Sequence, residues 1–155
     1  MLDGGGPALL RGCRIGTSVL GFRLSGAPAD ETALRKGQIM RYLAELAWAP
    51  DAILCNRSLE WQVREDGFRV SHPSAHGRIS VEIQLDKAGR IGSVSAKDRP
   101  RMETRRFVDR PWRGSFADYR LRNGRWIPFH GEVGWHFDGN WHPVWTAELT
   151  DWRFE

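Results

Sequence analysis

Between Phe116 and Arg153 two turn signals, Asn123-Gly124 and Asp138-Gly139-Asn140, separate three runs in which apolar and polar side chains alternate. From Ile127 the odd positions read Ile127, Phe129, Gly131, Val133, Trp135 and Phe137, and the even ones include His130, Glu132, His136 and Asp138. A period of two places one set on each side of an extended chain, so the segment predicts an antiparallel meander with a dry face and a wet one. No catalytic or cofactor motif stands out in the 155 residues, so architecture is more legible here than activity.

Turn chemistry sets the register, because a slip of one residue would exchange the two faces. A three-residue Asp138-Gly139-Asn140 loop pairs Phe137 with Trp141, Val133 with Trp145, Gly131 with Ala147 and Phe129 with Leu149, every match apolar. On the other face it sets His136 opposite His142, near Asp138, and His130 opposite Glu148. Facing imidazoles beside a carboxylate can ligate a metal or move a proton near neutral pH, although an ordinary solvated face reads the same way. At Asn123-Gly124 a two-residue type I′ turn pairs Arg122 with Arg125, Arg120 with Ile127, Asp118 with Phe129 and Phe116 with Gly131. Asp118 and Arg120 then point to the dry face, where a charge must find a partner. Three outcomes are open: the polar floor of a ligand cavity, an internal salt bridge, or a bulge that turns both side chains to water.

The rest of the chain predicts one main helix followed by strands. Residues 1–14 are glycine-rich and read as a loose leader, and Ile15–Leu24 is apolar and strand-like, so the folded domain spans 15–155. Asp30 is a good N-cap for a helix running to about Ala47, with Ala33, Met40, Leu43, Ala44 and Ala47 on one stripe, and Pro50 can start a short further helix through Leu54. Alternation then marks strands around Trp61, Phe68–His72, Ile79–Leu85 and Ile91–Ala96. Arg101–Phe107 is polar enough to be an edge or a loop. The expected fold class is α+β, a curved antiparallel sheet packed on one main N-terminal helix.

Composition excludes some classes. No segment approaches the roughly 18 uninterrupted apolar residues of a membrane span, and the start lacks a signal peptide's regions, so a cytoplasmic chain with no membrane span is expected. Cys13 and Cys55 are too few and too far apart for a disulfide framework and read as reduced structural thiols. Lys97 to Arg125 holds ten basic residues against four acids, which leaves +6 there and −2 elsewhere of the net +4. Alternation would divide those arginines between two faces, so a solvated surface is favoured over nucleic-acid binding. Trp61, Trp135 and Trp145 fall in core register. Trp126, Trp141 and Trp152 do not all fit one interior, which leaves aromatic surface for a groove or a contact.

Three stretches resemble a family of uncharacterised bacterial proteins known as a domain of unknown function. They are Arg41–Leu46 with Trp48 and Pro50; Pro111-Trp112, Gly114, Phe116 and Asp118-Tyr119-Arg120; and Ile127-Pro128, Gly131-Glu132-Val133 and Trp135. The resemblance implies a fold similar to the half-barrel of periplasmic lipoprotein carriers, and further strands before Ile15, so that this chain reads as the C-terminal part of the family's domain. An edge exposed in that way would favour a homodimer. The resulting expectation is a non-catalytic module that holds an apolar or lipid-like ligand in its concave face, with Asp118, Arg120, Phe129, Trp135 and Trp145 as ligand-binding residues and no metal or cofactor. The alternatives are a self-associating or partner-binding domain, and a hydrolase-like enzyme using Asp118, Arg120 and Glu132 or the His130, His136 and His142 face.

Overall fold

The structure is a computed structural model that describes residues 28–153. The leader 1–14, Cys13 and the strand-like run Ile15–Leu24 lie outside the described residues. Helix α1 spans Pro28–Ala44, tightens into a 3₁₀ turn at Glu45–Ala47, and is followed by α2 at Pro50–Cys55. It starts two residues before the expected cap, so Asp30 and Glu31 lie in its first turn, where their charge suits the positive end of the helix dipole. Met40, Leu43 and Ala44 recur at helical spacing and are buried, as are Leu46 and Ala47 beyond them.

Seven strands follow: β1 (Glu60–Arg64), β2 (Gly67–Ser74), β3 (Gly77–Leu85), β4 (Ile91–Glu103), β5 (Arg106–Arg122), β6 (Arg125–Phe137) and β7 (Asn140–Glu148). They form one antiparallel sheet in sequence order, open among the described residues because β1 and β7 do not pair. Helix α1 lies across β2 to β5. The sheet face beneath it supplies Val70, Val81, Ile83, Val94, Ala96, Trp112 and Phe116, which close a single core around Met40 and Leu43. The α+β architecture matches the sequence expectation. No described helix is long and apolar enough to cross a membrane. Cys55 is a free, exposed thiol and not a buried structural one.

Three local departures matter for function. The polar stretch Arg101–Phe107 is neither edge nor loop: it forms the β4–β5 hairpin, Met102 opposite Phe107 and Glu103 opposite Arg106, turning at Thr104 and Arg105 with φ of 44° and 86°. Glu103 makes this polar pairing stable by accepting from Arg101 Nη1 at 2.8 Å and from Arg110 Nε and Nη2 at 3.0 and 2.9 Å.

The β6–β7 hairpin turns on two residues, not three. Asp138 and Gly139 both have positive φ, Phe137 pairs with Asn140, and Trp135, not His136, lies opposite His142. The extra residue reappears as a bulge beside Pro143, which restores Val133 opposite Trp145, Gly131 opposite Ala147 and His130 opposite Glu148. The expected His136–His142 pair is thereby dissolved: His142 stacks on Phe137 at 3.7 Å and His136 leans on Trp141 at 4.8 Å.

The β5–β6 register is as expected from Arg122–Arg125 through Arg120–Ile127 to Phe116–Gly131. Asp118, however, adopts a φ of 53° and drops out of the ladder. Its carboxylate pairs with Arg120, and the two side chains are 44% and 47% exposed, so the outcome is a surface ion pair at a backbone irregularity and not a buried floor.

Candidate functional site

A second irregularity, in β4, builds the most distinctive cavity. Up to Ala96 the even residues face the helix, Val94 and Ala96 being buried there, but the ladder shifts between Ala96 and Arg99. The extra residue inverts the parity that follows. Asp98 reaches Lys36 of α1 at 2.7 Å, and Arg99 turns beneath the helix to lie 4.4 Å from the ring centre of Trp112 and 5.5 Å from that of Trp135. Asp109 also meets Lys36, at 3.1 Å; burial disfavours the Lys36 ammonium, yet the two carboxylates leave its pKa raised overall.

Trp48 closes the cavity from the other side. It follows the 3₁₀ turn, donates from Nε1 to the Pro128 carbonyl at 2.9 Å, and meets Phe116 and Trp145 edge-on at 4.9 and 6.1 Å. The space between them, half open to solvent, is about 230 Å³. Aromatic and aliphatic walls come from Trp48, Trp112, Phe116, Val133 and Trp145, and the polar groups at its margin are Arg41, Glu45 and Arg99. Arg41 Nε donates to Glu45 at 2.6 Å, so these two satisfy each other. Arg99 has no such partner among the described residues. Its Nε and the Trp112 Nε1 are both buried without an acceptor among the described residues. Burial pushes the Arg99 pKa down to about 10, Arg41 adding to the effect and Glu45 opposing it, which still leaves the guanidinium charged at neutral pH.

Of the residues expected at a binding site, Trp145 lines this cavity and the ring centre of Trp135 lies 5.5 Å from the guanidinium carbon of its arginine. Phe129 is only 2% exposed, capped by Arg120 and Arg122 whose guanidiniums lie 4.5 and 4.9 Å over its ring. Asp118 and Arg120 stand outside the cavity wall. The hydrogen bond from Arg120 holds the Asp118 carboxyl below its usual range, with His130 contributing. His130 itself bonds Glu148 at 2.6 Å. Glu132, opposite Ser115 and Thr146, lies one step along from the cavity residue Val133 and takes no part in the wall. Among the described residues no group of three or more His, Cys, Asp or Glu side chains could hold a metal ion.

Alternation read from the sequence missed Arg99, since parity counted from Val94 and Ala96 directs it outward. The available signal was the set of three stretches that carry the family resemblance: eight of the ten residues lining the cavity fall in them, all but Arg99 and Trp145. Two other depressions are larger and more ordinary. One, of about 600 Å³, lies over the polar face of β2 to β4 between charged side chains, and one of about 580 Å³ runs between α1 and α2 beside Tyr42 and His72.

No curated protein and no solved structure matches the chain. A family described as a family of unknown function (DUF6544) matches residues 19–147, which includes every cavity residue. The chain therefore belongs to that family.

Proposed function

We propose that the protein is a non-catalytic binding module that takes a small apolar molecule into the cavity between the helical segment and the β5–β7 half of the sheet. The observation that carries this reading is the cavity itself, walled by Trp48, Trp112, Phe116, Val133 and Trp145 and wide enough, at about 230 Å³, to accept a guest. A cavity of ~150 Å³ holds benzene, so a space of this size suits one ring or one short chain and not a two-chain lipid. Gly114 supplies a test. A Cβ added there meets the Trp112 Cη2 and Val133 Cγ2 at an ordinary 3.7 Å, so the backbone accepts a side chain at this lining position, and a leucine is expected to occupy the cavity. Titration with 1-octanol, followed by tryptophan fluorescence, is expected to give a saturable change that Gly114→Leu abolishes. An unsaturable response, identical in both proteins, would overturn the reading.

Self-association is the second reading, supported by the edge of the sheet. All five residues of β1 are exposed, among them Val63 at 78% and Trp61 at 37%, and its outer edge carries no strand among the described residues. The opposite edge strand, β7, carries Pro143 and a bulge, both of which obstruct further pairing. A second copy adding at β1 would give a two-fold dimer through one edge.

A further inference from the structure

The chemistry of the cavity specifies more than an apolar guest, and this step rests on reading the cavity as a binding site. Its margin holds two guanidiniums and one carboxylate, and that carboxylate is already engaged by Arg41. What remains is a cation, Arg99, whose guanidinium carbon lies 4.4 Å from the Trp112 ring centre and 5.5 Å from that of Trp135, and whose Nε, like the Trp112 Nε1, is buried without an acceptor among the described residues. A margin with one guanidinium beyond its single carboxylate is complementary to a ligand that accepts and carries negative charge. A weakly hydrated guanidinium beside aromatic rings suits a planar anion, whose oxygens match its fork.

We propose that the cavity binds a small monocarboxylate, its carboxylate accepting from the Arg99 guanidinium and its apolar body lying among Trp48, Phe116, Val133 and Trp145. One uncompensated positive charge suits a monoanion better than a phosphate dianion. Scaled from the ~150 Å³ that holds benzene, the volume accommodates roughly nine or ten non-hydrogen atoms. Octanoate is a probe of that size, and octanamide and octylamine are its neutral and cationic counterparts.

Calorimetric titration of the unmodified protein with all three is the deciding experiment. Octanoate is expected to bind about tenfold or more tighter than octanamide, the difference a charge-assisted hydrogen bond supplies, with octylamine weakest. Arg99→Met should bring octanoate down to the affinity of octanamide while leaving octanamide unchanged. Equal affinities for octanoate and octanamide in the unmodified protein would overturn the carboxylate assignment and leave the apolar cavity standing. Absence of binding by all three would overturn both. A preference for octanoate that survives in a folded Arg99→Met protein would remove Arg99 from the role. The comparison among ligands needs no variant, so it decides the matter even where Arg99→Met fails to fold.

Discussion

A single missing methyl group at Gly131 lets the aromatic wall form. A Cβ there would lie 2.8 and 3.0 Å from two atoms of the Trp48 ring and 3.4 Å from Trp145. Trp48 is held at both ends, its Nε1 donating to Pro128 at 2.9 Å and its carbonyl accepting from Trp152 Nε1 at 3.1 Å, so it has little room to retreat. Gly131→Ala is therefore expected to destabilise by about 1–3 kcal/mol. Urea denaturation measures this, and an unchanged midpoint would mean that the indole moves freely. Glu103 makes a different residue-scale prediction. Hydrogen bonds from Arg110 and then Arg101 lower its pKa to about 2. A carboxyl whose folded pKa is depressed stabilises the fold above its unfolded value, near 4.3, and loses that contribution as pH falls toward 2. The Glu103 carboxyl carbon resonance should titrate near pH 2, and Glu103→Gln should flatten the acid side of the stability profile. A midpoint near 4 would show that the arginine clasp does not form.

Two bulges carry most of the architecture that alternation does not announce. In β7 the exposed residue Val144 is the insertion: Pro143 lies opposite Gly134 and Trp145 opposite Val133, with Val144 matched to nothing. Removing it would join the two registers without moving either. Deletion of Val144 is thus expected to leave the fold intact and the melting temperature within a few degrees of the parent. Collapse of the hairpin, seen as loss of the dispersed Trp141 and Trp145 resonances, would show that the bulge is needed for curvature. The β4 bulge has the opposite standing, because it places Asp98 against Lys36 and Arg99 against Trp112. It couples the docking of α1 to the chemistry of the cavity.

At the scale of the whole molecule the sheet has one guarded edge and one that is open among the described residues. If copies associate through β1, Val63→Lys should shift sedimentation toward the monomer at a given concentration, since a charge on an edge strand opposes pairing. An unchanged distribution would exclude that edge. The order of strands, the main helix and the Asn123-Gly124 register were legible in the sequence because each depends on residues only a few positions apart: a period of two or 3.6, and turns whose positive φ suits Asn and Gly. The sequence predicts a β6–β7 turn one residue longer than the one that forms, because its apolar pairings are satisfied either by a longer loop or by a bulge, and local pattern does not separate the two. Arg99 and Trp48 belong to a further level. Whether β4 inverts its parity depends on what α1 presents to it, and whether Trp48 can reach Gly131 depends on a contact spanning more than eighty residues. Hydrogen-bond periodicity is written locally, so the sequence by itself determined the strands and the helix; packing is a property of surfaces brought together, so only the tertiary structure decided that an arginine with no ion-pair partner among the described residues and four aromatic rings would line one space.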